Sequence, residues 1–388
     1  MPRAKETSYL PEEYRKRAQS YVKHLVLREY LGRAAMVILS AWPDFVFVDG
    51  FSGPWRNSRE DLSDTSFGIA VGKLREARAN WAAHGKQAKV RCVFVERRAN
   101  AYARLHQAAG AVSDLEVTPL KGQFEDHIDA ITRIADRSFT LTFVDPAGWS
   151  FDLQKLAPLL KRRPGEVLVN FMYEHFRRFI EDKRPDIIRS QDRALGGSGW
   201  RERYAGLLAQ GLEKEEAALE VFKHQLRKVC EFEFVASARI RHPLMSKTHF
   251  YLVYGTRNLK GLVEFRKAEK EALRGEEAYR IQAQAHAHED RTGQVPLFGA
   301  LDAVAVPDLP DPREEDHGKL IVWLKRALER QAYDYEQLLK PALERYSVTE
   351  TEFKDTLVDL KRHGQLDFIG LAPKQWKPKK GVQIKAAA

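Results

Sequence analysis

Cysteine is almost missing from this chain: Cys92 and Cys230 are the only two in 388 residues. Two thiols cannot build a disulfide framework, which excludes the small, stapled secreted folds. Long apolar runs are missing as well. No stretch approaches the roughly 18 apolar residues of a helical membrane span, and Met1–Glu6 lacks the apolar core of a signal peptide. A soluble protein of the reducing cytoplasm, with no membrane partner, is expected. Acid is the scarcer charge: 54 Asp and Glu stand against 64 Lys and Arg, for a net charge of +10 and a pI near 9.4. Basic surface gains free energy by releasing counterions from phosphate backbones, so nucleic acid is the expected partner. No metal is expected. His286 and His288 read as adjacent polar groups at the end of a charged helix rather than as a ligand set.

What is present is the composition of a globular protein, 44% apolar and long enough for two or three domains. The organising stretch is Phe45-Val46-Phe47-Val48, which runs into Asp49-Gly50-Phe51-Ser52-Gly53-Pro54-Trp55. Buried parallel strands empty into tight turns in this way, and glycine lets a backbone approach a ligand where a Cβ would collide. Glycine after a strand also makes an ordinary turn. Before it, Tyr21, Val22, Leu25, Val26, Tyr30 and Leu31 predict a helix carrying Lys23 and His24, which by spacing alone are a polar pair on its flank.

Further strands are predicted at 90–95 ending at Glu96, at 115–120 leading to Gln123-Phe124, at 139–144 ending at Asp145-Pro146, and at 166–171. Helices are predicted between them, one capped by Thr65 or Ser66 and others over 99–109 and along Phe124, Ile128, Ile131 and Ile134. The alternation argues for an α/β protein with a Rossmann-like, doubly wound, mostly parallel sheet. Strands at 232–235 and 249–254 complete about seven, the last antiparallel at the edge. A charged helical insertion over about 181–228 interrupts the series. Its Gly196-Gly197-Ser198-Gly199 turn has no strand before it and is a poor phosphate loop.

This domain is expected to occupy residues 1–300, with a long charged helix from about 259 to 287. A proline-marked linker spans 301–315. Helices opening at Leu320, Tyr335 and Thr349, followed by a ribbon strand at Leu366–Ile369, predict a winged helix over 316–372. The alternative is a small helical domain that docks protein. Residues 373–388, with Lys374, Trp376, Lys377, Lys379 and Lys380, read as a basic tail. Gln294-Val295-Pro296-Leu297-Phe298 is similar to the short peptides that dock bacterial sliding clamps, which adds such a clamp as a partner.

The residues at successive strand ends form the informative set. A nucleoside cofactor needs a glycine-lined turn and a carboxylate that accepts from both ribose hydroxyls, and Glu96 is placed for that. The same acid would also suit a helix cap. The arrangement resembles class I methyltransferases that use S-adenosylmethionine. Asp49-Gly50-Phe51-Ser52-Gly53 looks like their first motif, Glu96 like the ribose-binding acid and Gln123-Phe124 like the adenine-flanking position. Asp145-Pro146 looks like the start of the catalytic motif. Together with Tyr21-Val22-Lys23-His24 and Tyr251-Leu252-Val253-Tyr254-Gly255-Thr256, these segments are similar to the three-Cys-motif partner (TcmP) family. That resemblance implies a three-Cys-motif partner protein, and the Lys-His pair resembles that of adenine-N6 ribosomal RNA methyltransferases. It implies S-adenosylmethionine held by Lys23, His24, residues 49–53, Glu96, Gln123 and Phe124, with Asp145 and Pro146 at the target amine and Trp149 stacking on the base. Two departures stand out: Ala147-Gly148-Trp149 follows Pro146 where relatives carry a second proline and an aromatic, and Pro54-Trp55 follows Gly53. The expected function is methylation of an exocyclic amine in RNA or DNA. The alternatives are a non-catalytic nucleic-acid adaptor and a metabolite-sensing regulator.

Overall fold

The computed structural model describes residues 18–53, 62–242, 244–245, 247–292, 311–372 and 374–387. Pro54-Trp55, the Gln294–Phe298 motif and most of the expected linker lie outside them. Helix α1 (Ala18–Ala41) leads into β1 (Asp44–Asp49), and α2 (Ser66–Ala83) follows, its first turn capped by the Thr65 hydroxyl accepting from the Gly68 N–H. Then come β2 (Lys89–Glu96), α3 (Ala99–Gly110), β3 (Glu116–Lys121), a 3-10 turn at Phe124–His127 with α4 (Ile128–Ile134), β4 (Phe139–Val144), α5 (Leu153–Leu160) and β5 (Gly165–Phe171). After α6 (Tyr173–Phe179), the range expected as an insertion holds α7 (Pro185–Ala194), α8 (Trp200–Ala209) and most of α9 (Lys214–Cys230). Strands β6 (Phe234–Arg241) and β7 (Thr248–Thr256) precede the long α10 (Leu259–Thr292).

The seven strands run in the order β3-β2-β1-β4-β5-β7-β6. Strands β1 to β5 are mutually parallel, and β7 is antiparallel to both β5 and β6. The antiparallel strand is therefore inside the sheet and not at its edge, as the sequence suggested. The short β6–β7 connection forces antiparallel pairing, and β7, the more evenly buried of the two, takes the inner place. Alternation in β1 divides the core. Phe45 and Phe47 face a cluster with α1, α2, α3 and α10, whereas Val46 and Val48 face one built with α4, α5, α6 and α9. The chain winds outward from β1 to β3 and returns to β4 on the other side, so β1 and β4 flank the topological switch point, where open α/β sheets bind ligands.

The carboxyl-terminal unit comprises α11 (Glu314–Leu328), β8 (Tyr333–Asp334), α12 (Tyr335–Arg345), α13 (Glu350–Arg362), β9 (Leu366–Ile369) and β10 (Gln383–Ala386). Capping boxes at Asp334/Gln337 and Thr349/Glu352 start α12 and α13. Strand β10 lies within the range read as a tail, yet it pairs antiparallel with both β8 and β9. Arg266, fully buried on α10, donates to the carbonyls of Leu343 (2.6 Å) and Glu344 (3.3 Å) at the end of α12. Glu344 in turn accepts from the Val235 N–H at 2.7 Å and pairs with Arg227. Asp311, His317 and Glu352 converge nearby, with the Arg313 guanidinium held between the two carboxylates at 2.7 and 2.8 Å.

Candidate functional site

A cleft opens at the carboxyl ends of the parallel strands. Its lining includes Gly50, Phe51 and Gly53 after β1, Glu96, Arg97 and Arg98 after β2, Gly122, Gln123, Phe124 and Glu125 after β3, and Asp145, Ala147 and Ser150 after β4. Four separate strand ends thus converge, which is the consequence of parallel pairing. The turn after β1 is held open by the Gly50 N–H donating to the Phe143 carbonyl (3.1 Å) and the Ser52 N–H donating to that of Val95 (2.9 Å). The Gly122 N–H likewise donates to the Glu96 carbonyl at 3.2 Å.

Glycine is required at two points of this turn. A Cβ on Gly50 would lie 2.4 Å from the Phe124 ring, and one on Gly53 would lie 1.7 Å from Glu96 Oε2. Glu96 is thus folded over the backbone of Gly53, with its other oxygen accepting from the Arg98 N–H at 2.6 Å. The Phe51 and Phe124 rings meet edge to face at 5.9 Å, giving the cleft an apolar flank beside the carboxylate.

Asp49 and Ser52 are buried and do not line the cleft. Asp49 is a structural bracket: its carboxylate accepts from the Ser66 hydroxyl (2.6 Å) and the Phe51 N–H (3.0 Å), tying β1, the turn and α2 together. Burial pushes its pKa up to about 6, against the lowering effect of those two hydrogen bonds.

Asp145 is held from two directions. Lys23 on α1 donates to one carboxylate oxygen at 2.6 Å, and the Asn170 amide on β5 donates to the other at 2.6 Å. Lys23 therefore meets Asp145 instead of the glycine turn, and neither it nor His24 lines the cleft. Asn170 was missed by sequence reasoning, although a lone amide inside Val167-Leu168-Val169-Asn170-Phe171 was the available signal. Pro146 is buried.

Trp149 requires a correction. Its ring is only 5% exposed and packs 5.2 Å from Phe176 and 6.0 Å from Phe171, so it belongs to the core and offers no face to a base. The loop shape explains this: Gly148, at φ +75°, turns the chain so that Trp149 points inward. Beyond Asp145, Lys247 pairs with Glu174 at 3.2 Å. Burial, then the neighbouring His242, pushes the His249 imidazole down to about 4.

No family profile matches the chain, and no characterised protein matches it in sequence. Two solved structures are loosely similar in shape. One is a protein from Legionella pneumophila, at 8% identity over 60% of this chain and 85% of that one, with a TM-score of 0.32. The other is loganic acid methyltransferase with SAH, at 10% identity over 78% of this chain and 90% of that one, with a TM-score of 0.30.

Proposed function

We propose that this cleft binds S-adenosylmethionine and that the chain methylates an exocyclic amine of a nucleic-acid base. The observation that supports it is the convergence of Gly50, Phe51, Gly53, Glu96, Gln123 and Phe124 on one cleft that also reaches Asp145. These residues fit the cofactor. The absence of a Cβ on Gly53 makes room for the Glu96 carboxylate, which suits ribose hydroxyls, and the Phe51–Phe124 edge suits a purine. The bound cofactor supplies an electrophilic sulfonium methyl, and such a transfer needs alignment above all.

Asp145 orients the target amine. Each of its oxygens has a second lone pair beyond those facing Lys23 and Asn170. Pro146 shapes the backbone beside it; Trp149 has no part in the chemistry. In this reading the carboxyl-terminal unit is a winged helix that positions the nucleic acid, the chain is a TcmP-type protein that works in the cytoplasm beside a three-Cys-motif partner, and Gln294–Phe298 docks a sliding clamp. Asp145→Ala is expected to lower methylation of RNA or DNA at least a hundredfold while cofactor affinity changes less than threefold. Normal turnover by that variant would remove Asp145 from the mechanism.

A second reading, a non-catalytic adaptor, is favoured by two observations: Asp145 already has a partner on each oxygen, and the expected stacking ring is internal. It predicts nucleic-acid binding by the wild type with no methyl transfer, even with a three-Cys-motif protein added.

A further inference from the structure

We infer that the loop between β9 and β10, rather than α13, is where this chain grips nucleic acid, and that what it grips is a single-stranded segment. The inference rests on the nucleic-acid reading above and adds the surface and the strandedness. Residues 370–382 carry Lys374, Lys377, Lys379 and Lys380 and no acid. The strands on either side are paired from Leu366↔Ala386 to Ile369↔Gln383, so the loop projects from a fixed base. Trp376, at its centre, is 59% exposed, and Ile369 at its root is 46% exposed.

The loop is also anchored sideways. Lys377 places its ammonium 4.5 Å from the centre of the Trp376 ring and pairs with Asp355 on α13. An exposed indole so held is a stacking platform, and lysines around it are the cations a phosphate backbone needs. Lys380 stands 3.6 Å from Glu336, whereas Lys374 and Lys379 are in no ion pair among the described residues, so the charge of those two is available.

Helix α13 has the opposite character. Its cations are already neutralised: Lys354 by Glu350 at 2.7 Å, Lys361 by Asp367 at 3.2 Å and Arg362 by Asp359 at 3.3 Å. The helix carries Glu350, Glu352, Asp355 and Asp359 against only Lys354, Lys361 and Arg362, so α13 has no surplus of positive charge and is poorly suited to lie in a duplex groove. A tryptophan face, in contrast, is matched by the face of an unpaired base.

The test is fluorescence anisotropy of the full chain with a labelled 12-nucleotide RNA or DNA, single-stranded and as a duplex, across a salt series. The expected wild-type result is tighter binding of the single strand. Trp376→Ala is expected to weaken that binding about tenfold. Lys374→Ala with Lys379→Ala is expected to reduce the slope of log affinity against log salt by about 1.4. Binding by the wild type that neither variant alters, or a duplex preference that survives Trp376→Ala, would overturn the assignment while leaving the nucleic-acid reading standing. Failure of the wild type to bind either form would overturn both. Equal binding of poly-glutamate would show a mere cation patch and would also overturn it.

Discussion

Gly50 and Gly53 lie three residues apart in one turn, yet a methyl group at each meets a different obstacle. At Gly50 it meets the ring of Phe124, which is itself buried, so Gly50→Ala overpacks the core and should cost about 1 to 3 kcal/mol in a denaturant titration. At Gly53 it meets the far end of the Glu96 side chain, which can rotate aside at the cost of its hydrogen bond from the Arg98 N–H. Gly53→Ala should therefore keep its Tm within a few degrees of wild type and lose cofactor affinity at least fivefold by calorimetry. Asp49 gives a pH signature. Its folded pKa of about 6 lies above the ordinary aspartate value of 3.8, so within that window the folded chain holds a proton that the unfolded chain has released. Its contribution to stability is fully present below 3.8 and falls as pH rises to 6. Asp49→Asn keeps an acceptor for the Phe51 N–H and removes that fall. Urea midpoints should show the variant gaining on wild type by on the order of 2 to 3 kcal/mol between pH 4 and pH 7. At this scale the sequence was half legible. It placed Asp49, Glu96 and Asp145 at strand ends, but residues one position apart on a strand end face opposite ways, and nothing in Asp49 marks it as facing inward. Trp149 failed similarly, since a stacking ring and a core ring are the same residue.

Elements were easier to read than residues where burial is one-sided. The apolar runs of β1, β2, β4 and β5 leave little choice but buried parallel strands. Two pairings escaped because partners far apart in sequence decide them: β7 entering between β5 and β6, and β10 completing the small sheet from a lysine-rich stretch. In β10 only Ile384 is buried, too short an alternation to register. The joint between the two units is the element-scale test. Arg266→Ala would strip two carbonyls on α12 of their donor and leave buried Glu269, which also pairs with Arg266 across α10, without its cation. A loss of about 3 kcal/mol is expected in a denaturant titration, with faster proteolytic release of the carboxyl-terminal unit. Retained protection of that joint would mean that its apolar packing suffices.

Across the whole molecule, the switch point of the sheet, the Lys23–Asp145–Asn170 bracket and the docked carboxyl-terminal unit form one connected body. The bracket joins residues 122 and 25 positions apart, which is why only the assembled fold reveals it. Net charge suggests a polyanion without locating it; the loop around Trp376 is the proposed location. The central claim concerns the cleft at the strand ends, and isothermal titration of the purified full chain with S-adenosylmethionine addresses it directly. The account predicts saturable one-to-one binding that Glu96→Ala weakens at least tenfold while Tm stays within a few degrees of wild type. No detectable heat from the wild type, or equal affinity in Glu96→Ala, would contradict it.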